Sequence, residues 1–425
     1  MLDAFLDQQL AAIRDADRYR LRRVVEGGHG VELVVDGRRC VNFCSNDYLG
    51  LAGDARIAAA ARRALDDCGT GSGAAALVSG YNRHHRVLEE RLAAFTGRPR
   101  ALLFSSGWAA NLGVLRALLG RESTLIADEL NHASLIDGGR LSGARYRRVR
   151  HADDNDFRAA LAELREAGSG ERGRGRSVPA LVVTDTVFSM DGDLATLPAL
   201  AAMCRENDVP LMVDDAHGFG VLGENGRGAI EHFAAAEARS QVPGPRSPVP
   251  DIYVATLGKA AGCAGAFVAG SEALIEYLVQ RARSWVFSTA PPPALAAAAG
   301  EAVRILDAEP EHRQRLHANI AQFRAGAAAR GIAIGPPGSR APVPGPEAAT
   351  PIQPLVIGGE ARAMAISEAL RESGFWVAAI RPPTVPAGTS RLRITLSAAH
   401  RPAQIDALLD ALAAAMARLT VEVPC

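Results

Sequence analysis

The middle of the chain alternates between short apolar runs and stretches whose apolar positions recur at helical spacing. Five of the apolar runs are predicted to be strands: RALLFSS, ALVVTDT, VPLMVDDAH, DIYVATLG and GAFVAGS. Segments such as GWAANLGVLRALLG and ALAAMCREND have the spacing of helices. This alternation predicts an α/β fold with a mostly parallel central sheet between layers of helices.

The two ends of the chain follow other patterns. The beginning suggests a helical arm and then a hairpin, VELVVDGRRCVNF, that turns at Asp36 and Gly37. Beyond residue 287, Ala-rich helical segments precede three predicted strands, IQPLVIG, FWVAAI and RLRITLS. We therefore predict an N-terminal arm and hairpin (1–46), a large α/β domain (47–287) and a smaller α+β C-terminal domain (288–425).

Three stretches are predicted to be surface loops, because Pro, Gly, Ser and Arg cannot build a core. They are residues 167–177, 238–250 and 335–349.

Composition and charge exclude several kinds of partner. The 425 residues are 48% hydrophobic and 22% charged, with a formal net charge of zero, so neither nucleic acid nor an anionic membrane is expected as a partner. The N-terminus is amphipathic and rich in acids, which argues against a signal peptide. No apolar run reaches the roughly 18 residues of a membrane span. We expect a cytoplasmic protein.

Several common catalytic motifs are missing from the sequence. A phosphate-binding Walker loop needs Gly-Lys-Ser/Thr, but Lys259 is followed by Ala260. There is no Gly-x-Ser-x-Gly and no His-Glu-x-x-His. The glycine cluster GTGSG follows helix-like sequence, so a dinucleotide fingerprint is not predicted. The six cysteines lack zinc-ligand spacing, and no metal site is predicted.

Of the 47 lysine and arginine residues, only Lys259 is a lysine. It follows a predicted strand, in TLGKAAG, among small residues that would partly shield an amine from water. An amine can attack a carbonyl to form a Schiff base, and a guanidinium, which stays protonated, cannot. A chance surface lysine in an arginine-rich chain is the alternative.

Other polar residues stand where predicted strands end. Asp214 could pair with the protonated pyridine nitrogen of pyridoxal 5′-phosphate (PLP), or cap the following turn. His132 could stack on a cofactor ring or bond the backbone, and Ser189 could be a ligand or a turn residue. The N–H groups of FSSGW (104–108), at a helix N-terminus, would suit a phosphate, although an ordinary Ser N-cap is equally consistent.

A family resemblance joins these separate signals. It is carried by FCSNDYLGL, GSGAAALVSGY, FSSGWAAN, NHASLIDG, VFSMDGDLATL, VDDAHGFGVLGENGRG, TLGKAAG and AIRPPTVPAGTSRLRITLSAAH. These motifs resemble the α-oxoamine synthases, PLP-dependent transferases of the aspartate-aminotransferase fold (fold type I). The resemblance runs from about residue 20 to 415 apart from the three loops. It departs from the family at Phe219 and at Ala260-Ala261, which we expect to lie near the cofactor.

The resemblance implies a role for each matching cofactor residue. Lys259 would bind the cofactor covalently and move the Cα proton of the substrate, with Asp214 on the pyridine nitrogen and His217 on the phenolic oxygen. His132 would stack over the ring, with Ser189 nearby. The positions implied on the phosphate side are Gly107, Trp108 and Thr256.

The resemblance also implies substrate contacts. Asn46 and Arg393 would hold the amino-acid carboxylate, Arg22 would meet the acyl substrate, and Thr384 would contact substrate as well. Within the family, RPPTVPAGTSRLR favours the member that condenses L-alanine with a pimeloyl thioester, on coenzyme A or acyl carrier protein, with loss of CO₂.

Three alternatives remain at this point. Glycine-using members of the family (2-amino-3-ketobutyrate ligase and 5-aminolevulinate synthase) and the serine-using serine palmitoyltransferase share the same catalytic set. A non-catalytic homologue is a different class of function, but such subunits tend to have lost the lysine. The resemblance also implies a homodimer.

Overall fold

The computed structural model describes residues 1–16, 18–167, 178–239, 249–336 and 350–421. Most of each predicted surface loop lies outside the described residues, namely 168–177, 240–248 and 337–349.

Helices and strands alternate through the described chain. The helices are α1 (Leu2–Asp15), α2 (Ala55–Cys68), α3 (Arg83–Thr96), α4 (Gly107–Leu118), α5 (Ala133–Ser142), α6 (Asp154–Ala167), α7 (Leu197–Glu206), α8 (Ala229–Arg239), α9 (Glu272–Arg281), α10 (Arg283–Val286), α11 (Pro293–Ala308), α12 (Glu311–Ala329), α13 (Glu360–Glu372) and α14 (Pro402–Val421), with a π-helical turn at Ala76–Gly80. The strands are β1 (Val25–Glu26), β2 (Glu32–Val35), β3 (Arg38–Asn42), β4 (Arg100–Phe104), β5 (Thr124–Asp128), β6 (Arg145–Val149), β7 (Ala180–Asp185), β8 (Leu211–Asp214), β9 (Ile252–Thr256), β10 (Ala266–Gly270), β11 (Ile352–Gly358), β12 (Phe375–Trp376), β13 (Ala378–Ile380) and β14 (Ser390–Thr395).

A seven-stranded sheet confirms the predicted mostly parallel arrangement. Its order is β4-β10-β9-β8-β7-β5-β6, and only β10 runs antiparallel to its neighbours. The other six strands run in one direction and therefore end at one edge of the sheet, where ligands bind in folds of this kind. Asp185 at the end of β7 is the register partner of Asp214 at the end of β8.

The core explains why these strands appear as continuous apolar runs. Leu125, Val183, Met212, Val254 and Val268 are fully buried in one cluster with the inner face of α4. Helices cover both faces of a parallel sheet, so its strands need apolar residues on both sides rather than an alternating pattern.

The chain forms two compact units. The terminal unit comprises Met1–Gly50, Met190–Gly192 and Gln314–Cys425, and the central unit comprises Leu51–Ser189 and Asp193–Arg313. The central unit contains the seven-stranded sheet. The division into 1–46, 47–287 and 288–425 stays a prediction.

The terminal unit contains two small sheets. One has the order β1-β2-β3-β12, and the other is the antiparallel β11-β14-β13. The predicted hairpin is present, with β2 and β3 joined at Asp36 (φ 49°) and Gly37 (φ 76°), the two positive φ angles of a type I′ turn. The single strand predicted for FWVAAI is wrong, because β12 and β13 belong to different sheets and separate at Val377.

Within the described residues, no helix combines the length and the apolar character needed to cross a membrane.

Candidate active site

Asp214 is the last residue of β8 and is buried at the carboxyl edge of the sheet. Its Oδ2 accepts a hydrogen bond from Asn111 Nδ2 at 2.7 Å, and its Oδ1 accepts one from the backbone N–H of Ala216 at 3.0 Å. These two donors fix the plane of the carboxylate at the strand end. The site therefore presents an oriented acceptor for a cationic group.

The adjacent carboxylate, Asp215, has a different environment. It accepts hydrogen bonds from Tyr253 Oη at 2.8 Å, from the backbone N–H of Ala229 at 3.0 Å and from Thr186 Oγ1. Burial, which these donors only partly offset, raises the pKa of Asp215 to about 7. The hydrogen bonds of Asp215 therefore stabilise the interior of the central unit, whereas Asp214 faces the candidate site.

A chain of hydrogen bonds connects Asp214 to the ring of His132. Asn111 Nδ2 donates to Asp214 and also lies 2.9 Å from Ser134 Oγ, to which it donates its second hydrogen. Ser134 Oγ lies 2.7 Å from His132 Nδ1, and the backbone N–H of Ser134 also donates to that nitrogen at 3.3 Å. Because Nδ1 is an acceptor, the ring proton of a neutral His132 is on Nε2.

The surroundings of His132 favour its neutral form. Burial lowers the pKa of His132, and the nearby Lys259 charge lowers it further, while Asp214 opposes both. The indole of Trp108 meets the imidazole edge to face, with ring centroids 6.2 Å apart. A neutral, flat ring at this position suits stacking on an aromatic cofactor better than an imidazolium would.

Lys259 lies in a tight turn after β9. Its Nζ is 2.8 Å from His217 Nε2, and both side chains belong to the central unit. Thr256 Oγ1 donates to the Gly265 carbonyl at 3.0 Å and accepts from the N–H of Gly258 at 3.2 Å. The hydroxyl of Thr256 therefore shapes the turn that presents Lys259.

Asp185 is a second buried carboxylate beside Asp214. Its Oδ2 accepts the backbone N–H of His132 at 2.6 Å, and its own N–H donates to Asn131 Oδ1 at 2.9 Å. Burial and the neighbouring Asp214 charge raise the pKa of Asp185 well above its usual range. Asp185 is thus pushed towards its neutral form.

The N-terminal part of α4 lies beside Asp214 and His132. Ser106 caps the helix, accepting from the N–H of Ala109 at 3.2 Å with its side chain. A helix leaves the N–H groups of its first residues, here Gly107 and Trp108, for an external acceptor. A Cβ built on Gly107 would meet nothing within 4 Å, and Trp108 is 45% exposed, so an anion could approach these amides.

Ser189 lies in a turn that follows β7. The turn closes where the N–H of Phe188 donates to the Asp193 carbonyl at 3.0 Å and where Val187 bridges to Leu194. Ser189 itself is half-buried.

The terminal unit brings two of the predicted substrate residues together. Arg393, on β14, donates from Nη1 and Nη2 to Asn46 Oδ1 at 3.3 Å each, and Tyr48 Oη donates to the same oxygen at 3.0 Å. Arg22 lies exposed between α1 and β1. The residue that donates to Thr384 Oγ1 is Arg20, through Nη2 at 3.2 Å.

Sequence reasoning missed three members of the candidate site: Asn111, Ser134 and Asp185. Asn111 is fully buried on a face of α4 whose other buried residues are apolar or glycine, and that contrast was a usable signal. Phe219, two residues after His217, packs in the core with ring centroids 5.5 Å from Phe95 and 5.2 Å from Phe267. Its bulk has a packing explanation.

The residues present fit PLP. Asp214 offers an oriented anion for a ring nitrogen, His132 a flat neutral ring, Lys259 an amine, and the start of α4 amides for a phosphate. Asn111 Oδ1 is also a buried oxygen with no hydrogen-bond partner among the described residues. Polar groups of these types around one sheet edge match the recognised parts of the cofactor.

Comparison with known proteins agrees with this geometry. Residues 38–412 match the family described as aminotransferase class I and II. The 8-amino-7-oxononanoate synthase of Methylococcus capsulatus is 55% identical over 407 residues, covering 96% of this chain and 97% of the relative. A solved 8-amino-7-oxononanoate synthase from Francisella tularensis has a TM-score of 0.70 and 30% identity, covering 90% of this chain and 99% of that one.

A solved serine palmitoyltransferase from S. paucimobilis, with a bound PLP–myriocin aldimine, has a TM-score of 0.84 at 28% identity and covers 99% of both chains. The resemblance and the fold type inferred from the sequence are confirmed. The chain belongs to the aminotransferase class I and II family and, within it, to the 8-amino-7-oxononanoate synthases.

Proposed function

We propose that this protein uses PLP to condense L-alanine with a pimeloyl thioester, yielding 8-amino-7-oxononanoate, CO₂ and the free thiol carrier, a step of biotin biosynthesis. The observation that carries the proposal is the 2.8 Å contact between Lys259 Nζ and His217 at the sheet edge that also holds Asp214 and His132. The 55% identity to an 8-amino-7-oxononanoate synthase supports the choice of substrates.

PLP, when bound, is an electron sink that stabilises negative charge on the α-carbon of an attached amino acid. The negative charge of Asp214 would keep the ring nitrogen protonated, which that role requires. The two donors to Asp214 hold its carboxylate in one orientation, so this stabilisation needs no rearrangement.

Lys259 and His217 would carry out the proton transfers at the site. The amine must lose a proton to attack a carbonyl, and His217 Nε2 lies within hydrogen-bond distance to take part in that transfer. The same amine can then remove the proton from the α-carbon of the substrate and later return it. Only a lysine can fill this role, because a guanidinium keeps its proton.

Arg393 and Asn46 would bind the carboxylate of the amino acid. Asn46 Oδ1 accepts hydrogen bonds from both terminal nitrogens of Arg393 and so fixes the plane of its guanidinium group. A fixed fork binds a carboxylate through two parallel hydrogen bonds and holds it in a defined direction. Arg22 is proposed to contact the acyl substrate, and Thr384 is proposed as a further substrate contact.

We propose a cytoplasmic homodimer that accepts the pimeloyl group from coenzyme A or acyl carrier protein. The motif resemblance supports the dimer, and the finding that no described helix could cross a membrane is consistent with the location.

Replacement of Lys259 tests the cofactor assignment directly. Lys259→Ala should abolish the visible absorption band of the PLP-loaded protein and its turnover, and Lys259→Arg should fail equally because charge alone is insufficient. Borohydride reduction of the wild-type protein should fix the cofactor on the peptide that contains Lys259, the only lysine of the chain. A Lys259→Ala protein that keeps the visible absorption band and its turnover would contradict the assignment.

A second candidate function is a condensation that uses L-serine. It is supported by the TM-score of the serine palmitoyltransferase structure, 0.84, which is higher than the 0.70 of the solved 8-amino-7-oxononanoate synthase. The lower identity of that relative argues against it. Thiol release measured with pimeloyl-CoA should be fastest with L-alanine and much slower with glycine or L-serine. Preference for L-serine with palmitoyl-CoA, or for glycine with acetyl-CoA, would replace the proposed substrates.

A further inference from the structure

His151, which follows β6, lies between two carboxylates that none of the steps above uses. Its Nδ1 is 3.1 and 3.2 Å from the two oxygens of Asp128, and its Nε2 is 2.7 Å from Asp193 Oδ2. Its ring meets Phe188 edge to face at 4.3 Å between centroids. Since both ring nitrogens face carboxylate oxygens, both donate, and the ring is an imidazolium.

The two carboxylates belong to turns that carry candidate cofactor residues. Asp128 ends β5, and its Oδ1 accepts the N–H of Leu130 at 2.8 Å, which shapes the turn that leads to His132. Asp193 closes the turn that contains Ser189, through its carbonyl contact with the N–H of Phe188. His151 is therefore bonded to both turns at once.

We propose that His151 is a positioning residue whose charged ring ties the turn at 128–132 to the turn at 188–193 and so sets the spacing of His132 and Ser189 around the cofactor. This inference rests on the proposed function, because it concerns the same PLP site. No bond to the cofactor or substrate is assigned to His151 itself.

The charges around His151 determine how its hydrogen bonds to Asp128 and Asp193 respond to pH. Asp128 and Asp193 face its ring, Glu129 Oε1 accepts its backbone N–H at 3.1 Å, and Arg148 pairs with Glu129 at 3.1 Å. Burial opposes protonation of the ring, but the two facing carboxylates outweigh it and raise the pKa of His151 to about 10. The folded-state pKa thus exceeds the usual value near 6.5.

Because the pKa of His151 is higher in the folded than in the unfolded protein, its contribution to the free energy of unfolding decreases as the pH rises. The stabilisation by His151 is complete below about pH 6.5 and is lost as pH rises through about 10. The cofactor-free wild-type protein should therefore lose melting temperature at the alkaline end faster than a variant whose side chain cannot titrate there.

The test compares His151→Gln, which removes the charge, with His151→Arg, which keeps it at all accessible pH values. Cofactor-free protein is titrated with PLP, and binding is followed by the quenching of tryptophan fluorescence. His151→Gln should weaken PLP affinity about tenfold, the size of coupling found within one hydrogen-bond network, and His151→Arg should recover most of it. His312→Gln, which removes a 3.6 Å contact with Glu309, is the control and should bind like wild type.

A pH series keeps the proposal falsifiable if His151→Gln does not fold. Wild-type affinity for PLP should fall relative to His151→Arg as the pH rises through about 10, and parallel curves for the two proteins across that range would overturn the inference. Equal affinity of wild type and His151→Gln would overturn it too. Failure of the wild-type protein to bind PLP would instead overturn the proposed function.

Discussion

At the scale of single residues, Asn111 shows how a buried polar group serves the site. Its amide nitrogen donates to both Asp214 and Ser134, while Oδ1 has no partner among the described residues. A buried acceptor without a partner costs about 1–3 kcal/mol. That cost on the buried face of α4 has a structural reason, because the amide couples the Asp214 carboxylate to the ring of His132 through Ser134.

Asn111→Ala should therefore impair both folding and catalysis. We expect the free energy of unfolding to fall by about 1–3 kcal/mol, because Asp214 and Ser134 each lose a buried donor. We expect kcat to fall about tenfold, since the carboxylate and the ring lose their shared support. Urea unfolding and steady-state kinetics with L-alanine and pimeloyl-CoA measure the two effects.

Asn319 provides the control for this prediction. Its side-chain nitrogen also makes two hydrogen bonds, to the carbonyls of Ser397 and His400 at 2.9 Å each, within the terminal unit. Asn319→Ala should lose similar stability and keep its kcat. An Asn111→Ala protein with unchanged kcat would show that the amide has only a packing role.

At the scale of an element, the turn after β9 determines where Lys259 stands. The N–H of Gly262 donates to the Lys259 carbonyl at 2.8 Å, and the N–H of Cys263 donates to the Leu257 carbonyl at 2.8 Å. Gly262 has a φ of +63°, and a Cβ there would lie 2.3 Å from the backbone nitrogen of Ala52. Glycine is required both for the left-handed backbone and for the close approach.

Gly262→Ala should displace this turn. The left-handed backbone alone costs an alanine about 1–2 kcal/mol, and the clash with the backbone at Ala52 adds to it. We expect a lower melting temperature of the cofactor-free protein and weaker loading with PLP. Gly258→Ala is the comparison in the same turn, because its Cβ would meet nothing closer than 3.6 Å and its φ is not positive. Equal melting temperatures for the two variants would contradict the crowding argument.

The sequence predicted the elements well where one local pattern determined them. Strands buried on both faces appear as apolar runs, and Asp214 and Lys259 were identified because they follow such runs. The break at Val377 was missed, because FWVAAI has uniform strand character and only tertiary pairing sends β12 and β13 to different sheets. Asn111 was missed for a related reason: α4 is distant in sequence from β8, and the Asn111 side chain meets Asp214 only after folding. Ser134 lies two residues from His132, but its link to Asn111 also forms only in the folded chain.

At the scale of the whole molecule, the central unit exposes a group of large apolar side chains. Val78 is 79% exposed and Leu77 54%, in the π-helical turn, and Phe287 is 70% exposed just beyond α10, which packs against that turn. Isolated exposed apolar residues are common, but a group on adjoining elements indicates an interface. A second copy of this chain is the occupant that the proposed homodimer supplies.

Substitution of Val78 by glutamate should weaken self-association. Placing a carboxylate in an apolar interface leaves it without water or a partner, so we expect the dimer dissociation constant to rise at least about tenfold. Sedimentation velocity across a dilution series measures that constant directly. Leu141→Glu introduces the same charge at a 57% exposed position on α5 and should leave the dimer intact. If Val78→Glu dissociates no more readily than Leu141→Glu, the dimer uses another surface, and a monomeric wild-type protein would refute the dimer itself.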